Sequence, residues 1–240
     1  MQKDFSARLE RQKLEAIKEL AYGASHEINN PLANIAARAQ TLLRDESAPE
    51  RRRSLEAIHQ QAMRAHEMIS DLMLFARPPQ LNIESVDLGE LVRSVADHFE
   101  AEFQQQHIRL TLDLPETACL VQGDSQQLAV AIHALCANSA EAIGNEGAIE
   151  ITLGLSEADN TARIEVSDTG TGISTEVREH LFDPFYSGRE AGRGLGFGLS
   201  KCWRIVTDHG GSIVVDDTRS LGARISIWLP MAAPADGTTA

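Results

Sequence analysis

Cysteine is scarce. The 240 residues hold three, Cys119, Cys136 and Cys202, widely spaced and with no Cys-x-x-Cys. That argues against a disulfide framework or a thiolate zinc site and fits a reducing compartment. The three thiols read as small core residues. Aromatic residues make up only 5% of the chain. Basic residues are outnumbered, 22 Lys and Arg against 35 Asp and Glu, for a formal net charge of −13. Binding to nucleic acid or an anionic membrane through a basic surface is disfavoured. No run reaches the roughly 18 apolar residues of a membrane span. The longest apolar stretch, Leu128 to Ala137, is short and contains His133. The first residues, Met-Gln-Lys-Asp-Phe, lack the apolar segment of a secretion signal. A cytoplasmic location is expected, either for a free protein or for the soluble part of an anchored one. A GxxxxGK[ST] phosphate loop is also missing, which rules out a Walker-type site.

Glycine and proline are sparse up to residue 76, where Ala, Leu, Glu, Arg and Gln dominate. That composition favours helix. Leu14, Ala21, Ile28, Ile35 and Leu42 are seven apart, as are Leu55, Ala62, Ile69 and Ala76, and Ile58, Ala65 and Leu72. Two seams of this period predict helices packed along their length. The polar run Arg44 to Glu50 contains Pro49 and predicts the turn between them. A two-helix hairpin buries little alone, so two copies pairing as a four-helix bundle are expected, hence a homodimer. Arg77-Pro78-Pro79 ends the second helix. Beyond it, helices are predicted over 88–103, 125–143 (with Ser125 as N-cap) and 199–209. Strands are predicted over 108–114, 148–155, 162–167, 212–215 and 223–229. The domains read as 1–78, a helical hairpin; 79–232, an α/β layer structure; and 233–240, a flexible tail.

Residues 25 to 32 read Ser-His-Glu-Ile-Asn-Asn-Pro-Leu. On a helix, His26 lies about 200° from Ala24 and Ile28 of the apolar seam, so it faces away from the core. Asn30 stacks on the same face one turn later, and Glu27 is adjacent. A neutral imidazole is a usable nucleophile, and a neighbouring carboxylate can take its proton and fix its tautomer. Two Asn followed by Pro are poor helix formers, and local conflict of this kind is expected where function sits. The other histidines lack such a setting. His59 and His66 read as the solvated side of the second helix, His133 as core, and His98, His107, His180 and His209 as surface.

A second constellation reads as a nucleotide site. Asp168 ends a strand and can accept from an exocyclic amine, while Gly170 and Gly172 let a ligand approach backbone. Asn138, with Glu141 nearby, offers an amide oxygen of the kind Mg²⁺ takes beside phosphate oxygens. Gly192, Gly194, Gly196 and Gly198 precede the helix from Leu199, where free N–H groups can hold phosphates. The segment between Ile173 and Gly192, with Phe182-Asp183-Pro184-Phe185-Tyr186, reads as a lid over the nucleotide.

Together, over residues 4 to about 230, these motifs resemble the sensor histidine kinases of two-component systems. Ser25 to Leu32 looks like their H box, Asn138-Ser139-Ala140-Glu141-Ala142 the N box, Asp168 to Gly172 the G1 box, Phe182 to Phe185 the F box and Gly194 to Leu199 the G2 box. The resemblance implies a dimeric phosphotransfer hairpin followed by an α/β sandwich ATP-binding domain of the kind shared with Hsp90, gyrase and MutL. It implies that His26 takes the γ-phosphoryl group of ATP with Glu27 as base. Asp168 would then read the adenine amine and Asn138 hold Mg²⁺. The partner would be a response regulator receiver domain, and Asn30 matches a position linked to its dephosphorylation. An upstream sensor domain or sensor protein is also implied. Three departures stand out. Ala134 occupies the place of a second Asn, Arg189 stands near the place of an F-box Lys, and a Gly192-Arg193 pair precedes the glycine loop. Arg193 is a candidate phosphate contact.

Overall fold

The computed structural model describes residues 27–76, 79–156, 159–183, 186, 196–216 and 221–231. The chain divides into two compact units, Met1–Pro79 with Ala191–Phe197, and Gln80–Glu190 with Gly198–Ala240.

In the first unit, residues 27–45 form helix α1. Helix α2 runs Pro49–Ala76. Proline opens α2 at the position where its missing N–H costs nothing. In the connecting turn, Ala48 N–H donates to Glu46 Oε1 at 2.8 Å and Arg52 N–H to the Ala48 carbonyl at 2.9 Å. The two helices meet on small residues: Ala36, Ala39 and Ala62 are buried. The heptad seam of α1 stays largely exposed in the single chain, Ile28 by 39%, Ile35 by 45% and Leu42 by 59%, with Ile58 of α2 at 48%. Alanines let the backbones approach closely, and the large aliphatics are displaced to the flank. There Leu32, Ile35, Ala57, Ile58, Gln61 and Ala62 line an open apolar groove.

The second unit is a two-layer α/β sandwich. Strand β1 (Glu84–Asp87) leads into α3 (Leu88–Gln105), β2 (Ile108–Asp113) and β3 (Leu120–Gly123). Then come α4 (Ser125–Ile143), β4 (Gly147–Ser156), β5 (Thr161–Asp168), α5 (Thr175–Glu179), α6 (Gly198–Asp208), β6 (Ser212–Val215) and β7 (Arg224–Pro230). The main sheet has the order β2-β4-β5-β7-β6; β2 is parallel to β4 and the other neighbours are antiparallel. Alternate residues Ile149, Ile151 and Leu153, Ala162, Ile164 and Val166, and Ile225, Ile227 and Leu229 are buried. This period-two face is covered by α3, α4 and α6, whose Phe99, Phe103, Leu128, Ile132, Leu135, Cys202 and Ile205 are buried. Each large aliphatic contributes about 1.5–3 kcal/mol. On the other face Glu165 joins Arg163 and Arg224, at 3.3 Å each.

Several elements differ from the sequence reading. The short strands β1 and β3 form a separate antiparallel pair that alternation did not reveal. The N-cap of α4 is Asp124, not Ser125: its Oδ1 accepts from Gln127 N–H at 3.0 Å. Its Oδ2 accepts from Asn82 N–H at 3.0 Å. Burial pushes the Asp124 pKa up, but the N–H donors of Asn82, Gln127 and Gln126, with His209 nearby, outweigh it and hold it below the usual carboxylate value. His209 is buried rather than superficial. Asp124 N–H donates to its Nε2 at 2.9 Å, so Nδ1–H donates to the Ile205 carbonyl at 2.8 Å. His133 is exposed rather than core, its ring 4.5 Å from that of Phe99. All three cysteines are buried and free, and burial raises the thiols to about 11 for Cys119 and about 12 for Cys136 and Cys202.

Candidate functional site

The α/β unit brings Asp168 and the N-box helix together. Asp168 is the last residue of β5 and is 3% exposed. Its Oδ1 accepts two backbone N–H bonds, from Gly170 at 2.8 Å and Ala223 at 3.1 Å. Its Oδ2 accepts from Ser139 Oγ–H at 3.1 Å. A carboxylate has about four lone-pair sites, so three donors fix its plane and leave Oδ2 able to accept once more. A buried acceptor with no donor of its own selects an N–H, such as an amine on a flat ring.

Two glycines make this geometry possible. A Cβ on Gly170 would stand 2.7–2.9 Å from Ala142, whose carbonyl accepts from Thr171 N–H at 3.3 Å. A Cβ on Gly222 would stand 1.9 Å from the Asp168 carbonyl, and Gly222 has φ of 71°. Gly222 N–H also donates to the Gly170 carbonyl at 3.1 Å, so the loops at 169–172 and 221–223 are tied. Gly172, with φ of 76°, lies beside them.

Asn138 is half-buried on α4, and its amide has no hydrogen-bond partner among the described residues. No cluster of three or more His, Cys, Asp or Glu suited to a metal occurs among them either. A single free amide oxygen fits Mg²⁺, which takes few protein ligands and completes its shell with phosphate and water. It does not fit an all-protein metal cage. Glu141 is exposed on the same helix. Gly196 has φ of 72°, Gly198 opens α6 and Leu199 is buried beneath it. Phe185, Arg189, Arg193 and Gly194 lie outside the described residues.

Sequence reasoning missed Ser139, Gly222 and Ala223 as parts of the Asp168 site. Ser139 was visible as a hydroxyl beside Asn138, but nothing showed which way it turned. Gly222 had one signal, a glycine directly before the closing strand.

In the hairpin unit, His26 lies outside the described residues. Glu27 and Asn30 are exposed on α1, and Asn29 between them is half-buried. His59 and His66 are not on a solvated face. They reach across to α1, His59 Nδ1 to the Ala36 carbonyl at 3.2 Å and His66 Nδ1 to Asn29 Oδ1 at 3.1 Å.

The α/β unit has the fold of an ATP-binding class. Residues 123–233 match the family of histidine kinase-, DNA gyrase B- and HSP90-like ATPases. Residues 16–80 match the His Kinase A (phospho-acceptor) domain. With both domains in this order, the chain belongs to the sensor histidine kinases of two-component systems. It is 32% identical to the sensor histidine kinase ZraS of Escherichia coli O157:H7 over 224 residues, 92% of this chain and 48% of that protein. It is 32% identical to sporulation kinase D of Bacillus subtilis (strain 168), over 93% of this chain and 44% of that protein. The chain thus spans about half the length of the curated relatives it matches. Among solved structures, the catalytic domain of histidine kinase ThkA is 29% identical with a TM-score of 0.57, covering 62% of this chain and 95% of that one. Full-length ShkA in complex with AMPPNP shares the fold, at 22% identity and TM-score 0.78 over 90% of this chain and 46% of that one. So does ThkA in complex with the response regulator TrrA, at 24% identity and TM-score 0.67 over 96% of this chain and 66% of that one. No helix among the described residues is long and apolar enough to cross a membrane.

Proposed function

We propose that this chain is an ATP-dependent autokinase that phosphorylates His26 and passes the phosphoryl group to an aspartate of a response regulator receiver domain. The observation that carries the ATP half is the Asp168 carboxylate, held by three donors with one acceptor position open. The H box and the His Kinase A match over 16–80 support the acceptor half.

In this reading Asp168 accepts from the adenine amine, and Gly170, Gly172 and Gly222 keep the wall thin enough for the ring to approach. Gly194, Gly196 and Gly198, with the N–H groups opening α6, hold phosphates, and Arg189 and Arg193 add charge. Phe185 belongs to the lid, and Leu199 anchors α6 under the loop. Asn138, with Glu141 beside it, would hold Mg²⁺, which when bound supplies charge neutralisation to the phosphates. The neutral His26 ring attacks the γ-phosphorus, an N–P bond forms, the bond to the bridging oxygen breaks and ADP leaves. Glu27 receives the ring proton. Asn30, exposed where Asn29 is not, is the amide available to orient water for dephosphorylating the regulator.

The exposed Ile28, Ile35, Leu42 and Ile58 support a homodimer closing a four-helix bundle. The working division is 1–78 for dimerisation and phosphotransfer, 79–232 for ATP binding and 233–240 as a tail. A cytoplasmic location and an upstream sensor domain or sensor protein complete the reading.

The test is incubation with γ-labelled Mg·ATP beside His26→Gln. Acid-labile, base-stable label on the parent and none on the variant is expected. No label on the parent despite measurable ATP binding would overturn the autokinase reading. The alternatives would then be an ATPase or clamp of the same nucleotide fold, a dimeric scaffold without kinase activity, or a phosphatase-biased state.

A further inference from the structure

Among the described residues of the hairpin is a polar feature that this chemistry does not use. His59 and His66 are both half-buried, and both turn toward α1. They are seven residues apart, and their partners Ala36 and Asn29 are seven apart in the reverse order. They are successive rungs of one antiparallel register. The rungs differ in kind. The acceptor for His59 is a backbone carbonyl, which any residue at position 36 supplies. The acceptor for His66 is a side chain, so that rung exists only while both Asn29 and His66 are present. Because an amide oxygen only accepts, His66 Nδ1 must carry the proton and donate it.

The position of this rung matters. Asn29 stands three residues along the chain from His26 and two before Pro31. Proline has no N–H to give the Glu27 carbonyl, so α1 lacks a restraint in the stretch that presents Glu27 and Asn30. A bond arriving from α2 at Asn29 replaces it. The same bond holds Asn29 toward α2, while its neighbour Asn30, about 100° further round the helix, stays exposed.

We propose that His66 is a positioning residue for phosphoryl transfer. Through Asn29 it fixes the rotation of the α1 stretch that presents Glu27 and Asn30, without touching the phosphoryl group. The inference rests on the reading of His26 as acceptor.

The experiment measures initial rates of γ-label incorporation against ATP concentration, on the whole chain. The variants are His66→Ala, His66→Gln, Asn29→Ala, the double variant His66→Ala/Asn29→Ala, and His26→Gln as control. His66→Ala is expected to lower kcat by about tenfold, since small misplacements near a reacting group cost rates of that order. KM for ATP should stay within about twofold, because the nucleotide site is untouched. His66→Gln restores an N–H donor and should recover most of the loss. Asn29→Ala should match His66→Ala, and the double variant should be no slower than either single one. Additive losses, an unchanged kcat in His66→Ala, or a His66→Gln variant of parental thermal stability that stays slow would each overturn the proposal. Label persisting in His26→Gln would instead remove the reading beneath it. Failure of this inference alone has a different signature: a dead His26→Gln with His66 variants that label at the parental rate.

Discussion

The two units dispose of their large aliphatic side chains in opposite ways. In the α/β unit Ile149, Ile151, Ile164, Ile205, Ile227 and Leu229 are each 2% exposed or less. In the hairpin Ile28, Ile35, Leu42 and Ile58 are 39–59% exposed, and the buried residues are alanines, Ala36, Ala39 and Ala62. The polar chemistry follows the same division. Asp168 is buried and fixed by three donors, whereas Glu27 and Asn30 lie open on α1. A small-molecule site needs walls that one chain can complete. On the proposed function α1 meets a second copy and another protein, and its apolar stripe and reactive groups lie outside accordingly.

The largest effect that would break this contrast is at Gly222. Gly222→Ala places a Cβ 1.9 Å from the Asp168 carbonyl at a positive φ. A loss of about 3 kcal/mol or more in stability is expected, with ATP binding lost alongside. Thermal melts and ATP titration would show it; a parental melt would mean the two loops are not tied as described.

That residue also shows where sequence legibility ends. The heptads revealed the hairpin, but not which seam faces inward, because Ala36 and Ala39 make a closer contact than Ile35 and Leu42 can. The alternating strands β4 and β5 and the helix α4 were readable. β1 and β3 were not, since Glu-Ser-Val-Asp and Leu-Val-Gln-Gly are four residues each and carry too little pattern. Asp168 was visible at the end of its strand. Its partner Ala223 lies 55 residues on and donates through backbone, which no side-chain pattern records. His66 and His209 were misplaced for the same reason: a histidine at a helical spacing says nothing of what it will meet across the fold.

Next in size is the hairpin groove. Ile35→Lys puts a charge on the exposed α1 stripe. Completing the burial of a half-exposed aliphatic is worth roughly half of the 1.5–3 kcal/mol of full burial in each copy, and a buried charge adds its own desolvation cost, so the proposed dimer should convert to monomer at micromolar concentration. Sedimentation should report this with the ATP affinity unchanged; a persisting dimer would place the interface elsewhere.

Ser139→Ala removes one donor from Asp168 Oδ2. A bond to a charged acceptor is worth about 1.5–3 kcal/mol, and entering water offsets part of it, so ATP affinity should fall about three- to tenfold. Affinity for the 6-oxo analogue, which lacks the amine, should change little. Equal losses for both nucleotides would make Ser139 merely structural.

A last effect sharpens the comparison from the side of the fold. Asp124→Ala removes the α4 cap and should cost about 1–2 kcal/mol. The folded-state pKa of Asp124 lies below its ordinary value, so its contribution is present above the ordinary carboxylate range and is lost as pH falls through the depressed value. The difference in melting temperature between parent and Asp124→Ala should therefore shrink on acidification and be constant near neutrality. A difference that grows toward acid would contradict this.

The most direct test of the account sets an ATP titration of His26→Gln beside one of Asp168→Asn. If the buried acceptor reads the nucleotide and the open helix face receives the phosphoryl group, His26→Gln binds ATP as the parent does. Asp168→Asn, whose amide presents a donor where an acceptor is needed, loses at least about tenfold in affinity. Parental ATP affinity in Asp168→Asn, or lost binding in His26→Gln, would contradict the division of labour between the two units.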